Sequence, residues 1–270
     1  MTGKTVLITG GNRGIGRETA RALAKMGAHV VLGARDRVLG QAAVDEIVQR
    51  GGSAELLEID TSSLASVRAA AQRFAAGHPK LDVLVHNAGI ATRTRQLSAD
   101  GHELTWATNF LGPFLLTREL LPTLKRAPHP RVVSVSSAAH DGAQIPWDDV
   151  ELEHGFRPFK AYAQTKLAQV LFTRELARRE PGIAVTAVHP GAIATDIWRA
   201  APLWARLVLK LVLPSAVKGA RPVVRLAAAP ELAGVTGRYF DRMREVEPAP
   251  AGRSEADARR LWEIAERATT

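Results

Sequence analysis

Short runs of β-branched and aliphatic residues alternate along the chain with longer stretches in which apolar residues recur every three or four positions. The short runs predict strands at Thr5–Thr9, His29–Ala34, Ala54–Asp60, Leu81–Ala88, Arg131–Ser137 and Ile183–His189, with a seventh near Arg238–Phe240. The longer stretches predict helices near Gly14–Met26, Val38–Arg50, Leu64–Ala76, Gly101–Lys125 and Phe159–Arg179. Most of the strand runs lack polar alternation, as expected of strands buried on both faces of a parallel sheet between helical layers. The expected fold is therefore α/β, a single doubly wound domain over residues 1–270 with a mostly parallel sheet of about seven strands. Right-handed crossovers would place the carboxyl ends of the strands, with their following loops, along one edge of the sheet.

Two stretches break the rhythm. His140–Pro158 is polar and carries Pro, Gly and acids, which reads as an excursion on the ligand edge. Trp198–Pro214 is basic and very apolar, and a substrate-side flap is expected near residues 196–214.

Composition narrows the chemistry. With 46% hydrophobic residues in 270, the chain can build a sizeable core. Cysteine is absent and the eight histidines form no HExxH-like pair, so no metal site is expected and redox chemistry calls for a bound cofactor. The formal charge of +9 comes from basic residues scattered among acids along helices, so no nucleic-acid partner is expected. No run of about 18 apolar residues occurs, and the strand run at Thr5 leaves no room for a signal peptide. A cytoplasmic protein without an integral membrane segment is the expectation.

The first strand runs into Thr9-Gly10-Gly11-Asn12-Arg13-Gly14-Ile15-Gly16 and then a helix. Glycines there permit a tight turn and let a pyrophosphate approach backbone amides at the positive end of the helix, so Gly10, Asn12, Arg13, Gly14, Ile15 and Gly16 are candidate cofactor contacts. At the end of the second strand, Arg35 suits the 2′-phosphate of NADP(H), with Arg13 as a second jaw; Asp36 beside it leaves NAD(H) open. Asp60, followed by Thr61 in a helix-capping segment, is placed to meet the adenine amino group. Asn87, Ala88 and Gly89 end the fourth strand with small residues that permit contact with the nicotinamide-side ribose, and Pro190, Gly191, Ile193 and Thr195 follow the sixth strand towards the carboxamide.

Reduction of a carbonyl by hydride needs a proton donor for the developing alkoxide. Lys166 follows Tyr162 by four residues on a predicted helix, and an ammonium beside a phenol favours its ionised form. Both also line the expected cofactor crevice. Ser137 ends the fifth strand, where its hydroxyl can hold the substrate oxygen; Ser136 points to the opposite face and is the weaker candidate. No GxSxG elbow surrounds Ser137, which argues against acyl transfer, and His140 and His189 read as loop and strand-end residues.

Through the glycine turn, Asn87-Ala88-Gly89, Asn109, Ser136-Ser137, Tyr162-Ala163-Gln164-Thr165-Lys166 and Pro190-Gly191 with Thr195, the sequence resembles the short-chain dehydrogenase/reductases over nearly its whole length. Within that family it is most similar to the retinol-dehydrogenase-like branch, by Val133–His140, Lys166–Phe172, Val188–Gly191, Gly237–Phe240 and Leu261–Glu263. The resemblance implies a Rossmann-type fold and a bent helix at Asn109, whose water bridge to Lys166 completes a proton relay with Ser137 and Tyr162. It also implies a lipophilic carbonyl or alcohol as substrate, in keeping with the apolar flap and Trp147. Copies are expected to pair as a homodimer or homotetramer through the helices at Gly101–Lys125 and Phe159–Arg179, unless the tail near Leu261 blocks that face. The expected function is NADP(H)-dependent transfer of hydride between nicotinamide and a carbonyl or alcohol. A cofactor-sensing binding protein would have no use for the complete Asn-Ser-Tyr-Lys set, whereas an NAD(P)-dependent isomerase or dehydratase remains an alternative.

Overall fold

A computed structural model describes residues 1–191 and 215–270 of the chain. The apolar runs form β1 (Thr5–Thr9), β2 (His29–Ala34), β3 (Ser53–Glu58), β4 (Val83–His86), β5 (Arg131–Val135), β6 (Ala184–His189) and β7 (Arg238–Asp241). These lie parallel in the order β3-β2-β1-β4-β5-β6-β7. An eighth strand, β8 (Arg244–Val246), returns antiparallel on β7 through a turn in which Arg242 takes a φ of 54°. The sequence pattern misses β8 because it is a three-residue edge strand with two exposed charged residues, and no apolar run marks it.

Alternate residues of each inner strand face opposite layers, which is why those runs are mostly apolar, whereas the edge strand β3 carries exposed Ser53, Glu55 and Glu58. Val6, Ile8, Val83, Val85, Val133 and Val135 pack with α1 (Gly14–Lys25), α2 (Arg37–Gln49) and α7 (Ala216–Ala228). Leu7, Leu84, Val132 and Val185 face α3 (Leu64–Gly77), α5 (Gly112–Leu124), α6 (Pro158–Arg179) and α9 (Glu255–Ala268). A single turn, α8 (Pro250–Arg253), precedes α9.

The long helix expected over Gly101–Lys125 is broken. A short turn, α4 (Leu104–Trp106), passes into a π-helical turn at Ala107–Leu111 before α5 begins. Pro113 accounts for the break: it has no N–H to give to the carbonyl four residues earlier, which is that of Asn109. Asn109 lies within that π-helical turn.

The strand order reverses between β1 and β4, so a crevice opens there at the carboxyl edge of the sheet. The ladder stops at His86 and Val135, short of the ends of their apolar runs, and residues 87–89 and 136–137 turn out of the sheet onto this edge. At the carboxyl end of the chain, Trp262 of α9 lies against Phe114 of α5 and Phe172 of α6, with ring centroids 4.9 and 6.0 Å away. The tail thus occupies part of the helical face expected to pair copies. Trp147 is partly buried against the same core, with Arg260 of the tail over its ring at 4.8 Å. The expected flap at 196–214 lies outside the described residues.

Candidate active site

The crevice is built on Thr9, the last residue of β1. Its fully buried hydroxyl accepts the backbone N–H groups of Asn87 and Ala88, both at 3.1 Å, and so fixes the loop after β4 against the loop after β1. Asn87 completes the tie by donating through Nδ2 to the carbonyls of Thr9 (2.9 Å) and Gly10 (3.1 Å). Thr9 and the side chain of Asn87 therefore act as scaffold. In the sequence Thr9 stands out only as the start of the glycine turn; its burial at the switch point gives it this role.

Gly10 takes a φ of 66°, which a side chain would strain. At Gly16 a Cβ would lie 2.3 Å from the carbonyl oxygen of Gly10 and 2.4 Å from Asn87 Nδ2, so only glycine lets the helix start pack under the turn. Arg13 sits at the N-cap of α1 in extended conformation, and neither a side-chain cap nor an acidic residue serves the first turn. Ile15 turns its side chain into the core, so that Asn12, Arg13, Gly14 and Ile15 present backbone at a positive helix end. By contrast, Asp36 caps α2 and Ser63 caps α3. An uncapped helix start beneath a glycine cradle fits the pyrophosphate of a dinucleotide.

At the end of β2 the two candidate ribose contacts are separated by their neighbours. The Asp36 carboxylate accepts the Leu39 N–H at 3.0 Å as the cap of α2. Arg35 remains largely exposed and its guanidinium lies 3.6 Å from Asp60. Asp60 itself spends one oxygen on the turn that follows, accepting from the N–H (2.9 Å) and hydroxyl (2.6 Å) of Ser62. It is thus a turn residue as well as a candidate adenine contact, and its other oxygen faces Arg35. Thr61 is buried behind it.

On the other side of the crevice, Ser137 lies two residues beyond β5 and Tyr162 on the second turn of α6. The Ser137 hydroxyl accepts from the Ala139 N–H at 3.2 Å and lies beside the Tyr162 phenol. Burial pushes the Tyr162 phenol above its ordinary range, and the Ser137 hydroxyl draws it partly back. Lys166 stands one turn further along α6 with Nζ 5.4 Å from the centre of the Tyr162 ring. Its ammonium donates to the Val135 carbonyl (2.8 Å) and to Gln169 Oε1 (3.1 Å). Full burial among neutral acceptors pushes it down to about 7. Desolvation thus outweighs the simple attraction inferred from sequence. The phenol is raised and the ammonium lowered, so that Lys166 gives up and regains its proton near neutral pH.

Asn109 lies fully buried in the π-helical turn. Its side chain holds Ile90, accepting from the N–H (2.8 Å) and donating to the carbonyl (2.9 Å), and it also donates to Thr165 Oγ1 (3.1 Å). The carbonyl that Pro113 leaves without a helical donor accepts instead from Gln169 Nε2 at 2.9 Å. The amide of Gln169 therefore joins Asn109 to Lys166 directly. Gln169 is not among the candidates the sequence motifs mark, although two local features point to it: it lies three residues after Lys166 on one helix face, and Pro113 frees a carbonyl for it.

Gly89 closes the group, since a Cβ there would lie 3.5 Å from Asn109 Oδ1 and 3.6 Å from Lys166 Nζ. Ser136 is buried and its hydroxyl is spent on the carbonyl of Lys166 at 2.8 Å, which makes it structural. His140 is also structural: it is buried, with Nδ1 2.8 Å from the Ser137 carbonyl and its ring packed on Tyr239. His189 is the last residue of β6, and Pro190 and Gly191 follow it with Gly191 at a φ of 98°. Ile193 and Thr195 lie outside the described residues. The structure thus brings the glycine turn, residues 87–89, Asn109, Ser137, Tyr162 and Lys166 to one crevice, while Arg35 and Asp60 stand at the ends of β2 and β3 on the same edge.

Residues 4–205 match the family model for short chain dehydrogenases. The chain is 40% identical over 286 residues to retinol dehydrogenase 14 of Mus musculus, covering 98% of this chain and 86% of that protein. Among solved structures, an uncharacterized protein of Mycobacterium paratuberculosis superposes with a TM-score of 0.81 at 34% identity, covering 99% of this chain and 94% of the other. The RhlG/NADP active-site complex of Pseudomonas aeruginosa superposes with a TM-score of 0.73 at 26% identity, covering 89% and 95%.

Proposed function

This chain belongs to the short-chain dehydrogenase family, and on that premise we propose that it is an NADP(H)-dependent oxidoreductase acting on the carbonyl or alcohol of a lipophilic small molecule. The observation that carries the reading is the buried Tyr162 phenol with the Ser137 hydroxyl beside it and the Lys166 ammonium 5.4 Å from its ring. The cofactor supplies the hydride in reduction and accepts it in oxidation.

The chain's own residues handle the proton and the substrate oxygen. The Ser137 hydroxyl holds that oxygen beside the Tyr162 hydroxyl, which protonates it in reduction and takes the proton back in oxidation. Lys166 recharges the phenol, and the Gln169 amide holds Lys166 in place from the Asn109 carbonyl.

Preference for NADP(H) rests on two neighbours: Arg35 is exposed at the end of β2, and the carboxylate of Asp36 is engaged as a helix cap. Lipophilicity of the substrate rests on the apolar sequence at 198–214 and on the likeness to a protein named as a retinol dehydrogenase. Among the described residues no helix is long and apolar enough to cross a membrane. A second copy pairing through α5 and α6 would meet α9 lying on that face.

The test is consumption of NADPH and of NADH against a panel of long-chain and cyclic aldehydes and ketones. Tyr162→Phe is expected to retain cofactor binding and lose roughly 10²- to 10⁴-fold in kcat. Cofactor binding with no turnover above that variant across the panel would favour a cofactor-sensing protein instead.

A further inference from the structure

Far from the crevice, at the amino edge of the sheet, three residues distant in sequence converge. The parallel register pairs His29 with Ser53 and Val31 with Glu55, so these four side chains share the face that α3 covers. His78 ends α3 as its C-cap, one turn beyond Phe74, and its ring packs on Phe74 with centroids 4.4 Å apart. In this arrangement His78 Nε2 lies 2.7 Å from Glu55 Oε1, and His29 Nε2 lies 3.9 Å from the same oxygen. Ligand atoms of the three residues all fall within 4.8 Å of one another.

An ordinary ion pair needs only one imidazole beside a carboxylate. Here two imidazoles present Nε2 to one carboxylate oxygen, and each ring is held from behind. His29 is held by Ser53, with Nδ1 2.7 Å from the hydroxyl, and in the tautomer that donates from Nδ1 its Nε2 carries a lone pair. His78 is held by Phe74. Zinc bound at about 2.0–2.1 Å to imidazole nitrogen and carboxylate oxygen sets neighbouring ligands of a tetrahedron roughly 3.3 Å apart. The two measured separations straddle that value by about 0.6 Å each, within reach of small side-chain rotations. Glu55 and His78 also line a cleft of about 470 Å³ together with Glu58 and Arg73, which leaves a path from solvent and room for a water as fourth ligand.

We propose that His29, Glu55 and His78 form a binding site for one divalent transition-metal ion of the Zn²⁺ class, which ties the edge strand β3 to β2 and to the end of α3. Two neutral imidazoles and one carboxylate are a donor set suited to Zn²⁺, Cu²⁺ or Ni²⁺ and unsuited to Mg²⁺ or Ca²⁺, which take oxygen ligands. His29 lies at the opposite end of β2 from Arg35, about 20 Å along the strand, so the ion would act on stability and not on the reaction.

The test uses the full chain with any affinity tag removed, stripped with EDTA and titrated with ZnCl₂ by calorimetry, with the melting temperature followed in parallel. One equivalent is expected to bind, and excess Zn²⁺ to raise Tm by roughly 2–4 °C, whereas Mg²⁺ leaves Tm unchanged. His29→Ala and His78→Ala are each expected to weaken binding tenfold or more, and Ser53→Ala to weaken it less. Co²⁺ should give the visible absorption of a tetrahedral site in the wild type and lose it in the variants. Glu55→Gln, at a half-exposed position, gives the same decision should a histidine variant fail to fold. Failure of the wild type to bind Zn²⁺, or undiminished one-to-one binding in the His29→Ala/His78→Ala double variant or in Glu55→Gln, would overturn the proposal.

Discussion

Gln169 donates through Nε2 to the carbonyl of Asn109 at 2.9 Å, and through the other end of the same amide accepts from Lys166 at 3.1 Å. A side chain that couples two members of the catalytic group in this way fixes both the position of the ammonium and its readiness to exchange a proton. Gln169→Leu keeps the volume and removes both bonds. We expect kcat to fall roughly tenfold with KM for substrate little changed, and the pH–kcat profile to shift because Lys166 loses an acceptor. An unchanged profile with a lower melting temperature would mark the bond as structural.

On the proposed preference for NADP(H), Arg35 meets the 2′-phosphate while Asp36 stays on the cap of α2. Removing the guanidinium in Arg35→Ala should raise KM for NADPH by roughly 10- to 100-fold, the worth of a charge-assisted contact to phosphate. KM for NADH should move little, and steady-state kinetics with both cofactors decides the matter.

Gly16 is fixed by contact rather than by conformation. In Gly16→Ala the new Cβ would meet a backbone oxygen at 2.3 Å, so the turn and the helix start must separate. Overpacking of this kind costs about 1–3 kcal/mol. We expect weaker binding of NADPH and NADH alike, by about tenfold, which fluorescence titration of the reduced cofactors would show.

Adjacent serines should separate cleanly. Ser137→Ala removes the hydroxyl proposed to hold the substrate oxygen and is expected to cost roughly 10²-fold in kcat. Ser136→Ala removes a buried bond to the Lys166 carbonyl and is expected to cost about 1 kcal/mol of stability with a much smaller loss of activity. Thermal melts beside initial rates distinguish the two.

His86 gives a prediction for acid. It is fully buried beneath the sheet edge with Nε2 2.7 Å from Thr117 Oγ1, and desolvation pushes it down to about 3. The unfolded chain therefore binds a proton at this residue between about pH 6.5 and 3 while the folded chain does not. The stability it contributes is complete above about 6.5 and is lost as pH falls towards 3. His86→Gln, which can still bond Thr117, should flatten that part of a plot of urea midpoint against pH; an unaltered slope would assign the acid limb to other groups.

Sequence by itself determined the parallel sheet, because strands buried on both faces must be apolar at every position and their runs are visible without the fold. It likewise determined the glycine turn and the Tyr162–Lys166 pair, since contacts one helical turn apart are set by local geometry. It placed the bend at Asn109 only through family resemblance, although Pro113 carried the physical cause. Tertiary structure alone decided the rest. Which carbonyl Gln169 reaches, how Thr9 binds the loop after β4, and that burial raises Tyr162 while lowering Lys166 all depend on residues dozens of positions apart. The same holds for His29, Glu55 and His78, which no spacing rule connects and which meet only because β2 pairs with β3 and α3 returns across them. Desolvation and long-range contact are properties of the packed chain, and a pattern along one dimension carries neither.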